Sequence, residues 1–413
     1  MALTLETLKG MKVGVCVSGG LDSKTIAKRF TEAGIDTVAF TADVGQPDEK
    51  DINDVAKRMA PCGVDTVIVD LKNEMADACF EVIEAQAMYD GGYWNSTGIA
   101  RAVTVKGLIP ELRKRGCNVL SHGATGRGND QMRFERYTNV LAPDMKVFAP
   151  WRDPELLKQF PGRTQMVDYL AKFGIIAFAG GKKKYSTDCN LAGLSHEAED
   201  LESMATEMTI VVPTMGVWPF EAPDKPEIFK VRFEKARCVA INGKDVTPLE
   251  AMHLVNEIGG RNGIGMKHAL ENRIIGTKSR GVYEAPGMEL LAWCLRYLYQ
   301  ATMDRRATLL FQQLSKLVAD QIYDGRYYDP ATQAARAAIG VFAEKATGTV
   351  EVILYKGNIF FKSLEGCKAT IYNEADSSME ASAGLNPVSS QGFAEIQSVE
   401  AISLAKAGQI VDK

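Results

Sequence analysis

The stretch Lys-Val-Gly-Val-Cys-Val-Ser-Gly-Gly-Leu-Asp-Ser, residues 12–23, constrains this 413-residue chain more than any other. Val13, Val15 and Val17 are β-branched and end at a turn signal, the pattern of a strand buried on both faces. Gly19 and Gly20 permit positive φ and carry no side chain to block a ligand. Residues 24–33 favour a helix that ends at Gly34. A helix opening just after a glycine turn presents free N–H groups and its positive dipole end, and phosphate is the natural occupant. Asp22 lies inside this loop. A carboxylate beside a polyphosphate is repelled unless a cation bridges them, so the loop implies Mg²⁺ held by Asp22 as well as phosphate. The chain has neither Gly-x-x-x-x-Gly-Lys-Ser/Thr nor the dinucleotide-binding Gly-x-Gly-x-x-Gly.

Downstream, residues 37–43, 65–70, 118–122 and 146–151 are predicted strands. Residues 48–60, 72–88 and 103–115 are predicted helices, the last carrying Pro110. Alternating strands and helices imply an α/β domain with a parallel, doubly wound sheet. Ligands gather at the carboxyl ends of such strands. From about residue 172 the rhythm changes to α+β. Residues 227–233 and 238–241 are predicted strands, followed by an Asn242-Gly243 turn. Thr247-Pro248-Leu249-Glu250 forms a capping box that opens a helix to Ile258, stopped by Gly259-Gly260. Residues 287–323 are predicted helical with a break near Met303-Asp304, and residues 350–361 form a hairpin. Residues 395–407 suit an amphipathic helix whose apolar stripe needs a covering surface. The expected domains are 1–171, an α/β domain carrying the phosphate-type loop; 172–374, an α+β domain; and 375–413, a tail.

The chain is 46% hydrophobic and 24% charged with net charge −4, a globular balance with no nucleic-acid signature. The basic runs at 113–115 and 182–184 are short. Eight scattered cysteines without a Cys-x-x-Cys pair suit free thiols, and no apolar run reaches membrane-spanning length. A cytoplasmic enzyme is expected. The four histidines have no metal-ligand spacing.

Three further stretches carry polar chemistry. In Ser-His-Gly-Ala-Thr-Gly-Arg-Gly-Asn-Asp, residues 121–130, Thr125, Asn129 and Asp130 can fix a zwitterion, and Arg133 can hold a carboxylate. Tyr-Ser-Thr-Asp-Cys-Asn at 185–190, with Ser195-His196-Glu197, suits a polar small molecule. Glu-Asn-Arg-Ile-Ile-Gly at 271–276 and Lys-Ser-Arg-Gly-Val-Tyr-Glu-Ala-Pro at 278–286 complete the set.

The Ser-Gly-Gly-Leu-Asp-Ser loop resembles the pyrophosphate loop of the ATP pyrophosphatases. The five motifs together, in this order across residues 12–286, resemble the signatures of the argininosuccinate synthase family. That resemblance implies condensation of citrulline with aspartate, driven by cleavage of ATP to AMP and pyrophosphate through a citrullyl-adenylate. It implies that Cys16, Val17, Ser18, Gly19, Gly20, Leu21, Asp22, Ser23 and Lys24 bind ATP, with Ala42 meeting the adenine and His122, Gly123 and Asp188 near the nucleotide. It assigns Thr97, Thr125, Asn129 and Asp130 to aspartate. It assigns Tyr93, Asn129, Arg133, Ser186, Ser195, Glu197, Glu271 and Tyr283 to citrulline. Asp22, Asn129 and Asp130 would carry the catalysis. A homotetramer with a swapped C-terminal tail is implied, without nucleic acid or membrane partners. Two positions depart from the family pattern. Lys24 stands where a small hydroxyl residue is common, where it could serve as a substitute cation, and Gly98 stands where some members use serine toward citrulline. The rival readings are another pyrophosphate-loop adenylating ligase and a nucleotide- or amino-acid sensor without turnover. A thiolase of the same group would show catalytic cysteines and a basic RNA face, and an amidotransferase a glutaminase domain; neither is visible.

Overall fold

The β-branched run at residues 12–17 forms β1 (Lys12–Cys16) at the centre of a five-stranded sheet. The computed structural model describes residues 3–177, 185–380 and 384–409; the basic run at 182–184 lies outside them. From β1 the chain continues through α1 (Leu21–Glu32), β2 (Asp36–Asp43), α2 (Asn53–Met59), β3 (Asp65–Asp70), α3 (Lys72–Glu84) and α4 (Ser96–Lys114). It then runs through β4 (Val119–His122), α5 (Asp130–Leu141), β5 (Lys146–Phe148), α6 (Pro154–Gln159) and α7 (Arg163–Ala171). The strand order is β3-β2-β1-β4-β5, all parallel. Val13 and Val15 are fully buried, and a Cβ on Gly14 would lie 1.9 Å from Leu112 Cδ2, so α4 packs directly on the strand. The chain leaves β1 toward β2 on one side and returns to β4 on the other. The crevice above this switch is where doubly wound sheets bind ligands.

The later elements are β6 (Ser186–Asn190), β7 (Gly193–Glu197), β8 (Glu227–Glu234), β9 (Arg237–Ile241), β10 (Lys244–Asp245), α8 (Pro248–Arg261), β11 (Met266–Asn272) and β12 (Lys278–Glu284). There follow α9 (Pro286–Thr302), α10 (Arg305–Tyr323), α11 (Pro330–Ala343), β13 (Gly348–Tyr355) and β14 (Asn358–Glu365). They build two antiparallel sheets, β11-β12-β7-β6 and β10-β9-β8-β13-β14. The chain divides into two compact units, Met1–Lys368 and Ala369–Lys413. The second contains α12 (Glu374–Ser377) and α13 (Ser389–Lys406). Among the described residues no helix is long and apolar enough to cross a membrane.

The capping box at Thr247 is formed in both directions: Thr247 Oγ1 accepts from Glu250 N at 3.3 Å, and Glu250 Oε2 accepts from Thr247 N at 2.8 Å. Asp304 caps α10 at the expected break, accepting from Arg306 N and Ala307 N. Four expectations need correction. Helix α4 begins at Ser96, seven residues earlier than predicted, and runs through Pro110, whose turn is solvent-exposed and so leaves water to replace the missing donor. Helix α3 stops at Glu84, with Gln86 at φ 50° just beyond. Strand β5 is only three residues long because Pro150 starts a 3₁₀ turn. Gly259 and Gly260 do not stop α8 but lie inside it: a Cβ on Gly260 would be 2.0 Å from Met215 O, and one on Gly259 2.7 Å from Pro286 O. These glycines serve close packing.

Candidate functional site

A cleft of about 1340 Å³ opens at the carboxyl ends of β1, β2 and β4. The turn after β1 is closed by Ser23 Oγ, which accepts from Ser18 N at 3.0 Å. Gly19 takes φ +74°, and a Cβ there would sit 2.7 Å from Arg58 Nε. Arg58 in turn pairs with Glu49 at 2.5 Å, fixing a guanidinium beside the loop. Helix α1 starts after Gly20 with no side-chain cap, so its first N–H groups need partners from outside the helix. Asp22 belongs to that first turn. Burial raises its pKa, opposed by a backbone hydrogen bond and by Arg163.

On the facing side, Arg101 and Arg133 organise two carboxylates. Arg101 of α4 donates from Nε to Asp130 Oδ2 at 2.9 Å and from Nη2 to Asp188 Oδ2 at 2.5 Å. Arg133 Nη1 donates to Asp130 Oδ1 at 2.8 Å, its Nε bonds Tyr323 O at 2.9 Å, and its Nη2 is buried without a partner among the described residues. Burial penalises the Asp130 charge, but Arg101 and Arg133 outweigh it and hold that carboxyl below its ordinary range. Asp188, with Arg101 on one side and Asp130 near, is pushed up by burial. Removing Arg101 would leave Asp188 without its guanidinium, while Asp130 would keep Arg133.

A second network crosses the cleft. Ile274 N donates to Asn129 Oδ1 at 3.0 Å, Asn129 Nδ2 to Tyr323 Oη at 2.8 Å, and Tyr323 Oη to Glu271 Oε1 at 2.8 Å. Tyr283 Oη donates to Glu271 Oε2 at 2.7 Å, and its ring stacks on Tyr93 at 4.2 Å. Tyr93 Oη accepts from Thr97 N at 2.8 Å. Burial raises the Glu271 pKa against these phenol bonds. Glu197, next to Glu271 with Asp130 and Asp188 near, is pushed up to about 7, mainly by burial. The cleft therefore joins a phosphate-type loop to a set of buried carboxylates, guanidiniums and phenols, the chemistry that holds ammonium and carboxylate groups together.

Two family models match the chain: the arginosuccinate synthase N-terminal HUP domain over residues 12–176 and the arginosuccinate synthase C-terminal domain over residues 185–404. Relatives named argininosuccinate synthase include one from Thermotoga sp. (strain RQ2), 38% identical over 97% of this chain and 98% of its own. One from Carboxydothermus hydrogenoformans is 39% identical over 84% and 86%, and one from Rhodopirellula baltica 37% identical over 92% and 94%. The chain belongs to the argininosuccinate synthase family.

Every site residue named above from the resemblance to the argininosuccinate synthase family lines this one cleft, from Cys16 through Tyr283. Their local contacts vary. Lys24 is buried and donates Nζ to Ile176 O at 2.8 Å, so its ammonium is engaged by a backbone carbonyl. Gly98 packs on α10, where a Cβ would be 3.0 Å from Ile322 O; it shapes the support of Tyr323. Ala42 O already accepts from Gln46 Nε2 at 2.8 Å. Gly126 sits where a Cβ would be 2.5 Å from Trp151 O, so it serves packing. Thr125 is exposed at the rim, whereas Ser195 is buried and Ser186 exposed across the β6–β7 hairpin. Sequence reasoning missed Arg101 and Tyr323. Arg101 had a signal, a lone charge between Ile99-Ala100 and Ala102-Val103. Tyr323 had none.

Proposed function

We propose that the chain is an ATP-dependent ligase that condenses L-citrulline with L-aspartate to argininosuccinate, AMP and pyrophosphate, a step of arginine biosynthesis. The observation that carries this reading is the single cleft shared by the uncapped start of α1 and by the Asp130–Arg101–Asp188 and Asn129–Tyr323–Glu271 networks. Family membership supports it.

The ureido carbon of citrulline is a poor electrophile. Transfer of AMP to the ureido oxygen makes that oxygen a leaving group, and the amine of aspartate then displaces it. Residues 18–23 suit the departing pyrophosphate through backbone N–H groups. In this reading Tyr93, Tyr283 and Glu271 hold the citrulline frame, and Glu197 faces its ammonium. The unpartnered Arg133 Nη2 suits a ligand carboxylate. Asp130, kept anionic by its two arginines, suits the ammonium of aspartate, with Thr97, Thr125 and Asn129 around it. Positioning and electrostatics do most of the catalysis, consistent with the lack of a nucleophile–base pair in the motifs.

Asp22 fits Mg²⁺: its buried carboxylate is costly as a lone anion, and among the described residues no group of three His, Cys, Asp or Glu could hold a metal alone. Phosphate oxygens would complete the shell, and the ion would neutralise charge on the pyrophosphate. The same reading places ATP binding in residues 1–171 and the amino-acid substrates largely in residues 172–374, with residues 375–413 serving assembly of a homotetramer. A cytoplasmic location suits eight free thiols. The test is a pyrophosphate-release assay. Release that requires both citrulline and aspartate is expected; release sustained by ornithine or glutamine in place of citrulline would sink the assignment.

A further inference from the structure

Tyr323 belongs to none of the five motifs, yet its hydroxyl joins two of them. It is the last residue of α10, is buried, and lines the cleft. Its ring stacks on Tyr89 with centres 3.7 Å apart, meets Tyr93 edge-on at 6.5 Å, and has the Arg133 guanidinium 4.9 Å above it. Its carbonyl accepts from Arg133 Nε. The neighbouring Ile322 carbonyl packs on Gly98, where a side chain would crowd this end of α10.

The hydrogen bonds through this phenol run in one direction only. Ile274 N is a backbone donor, so the Asn129 atom facing it at 3.0 Å is Oδ1, and the amide orientation is fixed. Asn129 Nδ2 therefore faces Tyr323 Oη and donates to it. Burial and Glu271 push the phenol pKa up, so the hydroxyl keeps its proton. That one proton goes to Glu271 Oε1, and Tyr283 gives a second phenol proton to Oε2. Both oxygens of Glu271 thus accept, which favours its carboxylate form and leaves about two of its four lone-pair sites open. Asn129 keeps one Nδ2–H to give.

We propose that Tyr323 is a positioning residue that sets the polarity of the amino-acid sites: through its hydroxyl, Asn129 is presented to the substrates as a donor and Glu271 as an acceptor. The proposal rests on the ligase reading above. Tyr323 acts through these two side chains, because its proton is given to Glu271 and its oxygen is met by Asn129. The arrangement selects a ligand acceptor beside Asn129, a carboxylate or ureido oxygen. It selects a ligand donor beside Glu271, an ammonium or ureido N–H.

The test is Tyr323→Phe, which removes one oxygen and keeps the ring and its stacking. Tyr89→Phe is the control, because the Tyr89 hydroxyl bonds Asn272 O outside this bridge. In Tyr323→Phe the KM for citrulline and the KM for aspartate are each expected to rise at least fivefold. The KM for ATP is expected to stay within twofold of wild type, and Tyr89→Phe to show neither rise. A rise for one amino acid alone, or equal rises for all three substrates, overturns the proposal. So do wild-type KM values beside a lower melting temperature, which would make the hydroxyl a stabilising bond only. A measurement on the wild-type protein needs no variant to fold. With ¹⁵N-asparagine, exchange of the Asn129 side-chain N–H held by Tyr323 is expected to be at least tenfold slower than that of exposed side-chain amides. Exchange at the exposed rate overturns the proposal. A wild type that releases pyrophosphate without citrulline overturns the ligase reading instead.

Discussion

Glu197 shows how burial sets the chemistry of one carboxyl group. Its pKa rises from 4.5 to about 7, so the folded chain binds a proton there that the unfolded chain releases. The stability this contributes is complete below the unfolded value and is lost as pH rises toward 7. A ligand ammonium reverses the preference, because it favours the carboxylate. The KM for citrulline should therefore rise as pH falls from 8 to 6, by at most about tenfold per unit below the pKa. In Glu197→Gln the KM should be higher at pH 8 and flat over the same range. A Gln variant that keeps the wild-type slope would remove Glu197 from the citrulline site. Asp22 makes a different case. Its charge is costly in the empty fold, so Asp22→Asn should keep or raise the melting temperature while turnover at limiting Mg²⁺ drops at least about tenfold. Near-normal turnover would make Asp22 a turn residue only.

At the scale of elements, α8 separates what glycines do. Its start obeys local rules: Thr247, Pro248 and Glu250 cap it within one turn. Its end does not, because Gly259 and Gly260 stay helical where another segment passes too close for a Cβ. Gly260→Ala should destabilise the chain by about 1–3 kcal/mol, the usual cost of overpacking. Gly340 in α11 is the control, with nothing within 4 Å of its Cβ position. Gly340→Ala should be neutral or stabilise by about 0.5–1 kcal/mol through helix propensity. Urea unfolding of the two variants compares them, and equal midpoints would mean that Met215 yields without cost.

The whole chain ends in a unit whose helix α13 buries none of its side chains. The sequence reading placed an amphipathic helix at residues 395–407. The helix is longer, Ser389–Lys406, and its apolar residues Phe393, Ile396, Val399 and Ile402 recur every three positions. Each step turns about 60° around the axis, so they spread over half the circumference rather than one stripe. A helix apolar over that width suits contact on more than one side. Deleting residues 395–413 should shift the protein to smaller species in sedimentation while circular dichroism keeps the α/β signal. An unchanged oligomer would show that the tail does not hold subunits together.

The strand, loop and helix of residues 12–32 were legible because their causes are local: β-branched residues, a glycine turn and a run of helix formers act on neighbouring residues. So were the parallel sheet, from the alternation of elements, and the hairpin turn at Lys356-Gly357, both at positive φ. The motif residues of the cleft were legible as residue types. Tertiary structure alone decided how they act on one another. Arg101 and Asp188 are 87 positions apart in sequence and 2.5 Å apart in space. Tyr323 reaches Asn129 across 194 positions. The Glu197 pKa depends on burial and on Glu271, Asp130 and Asp188, from other segments. Local propensities act over a few residues, whereas desolvation and charge act through space. The first can be read along a chain, and the second exists only once the chain has folded.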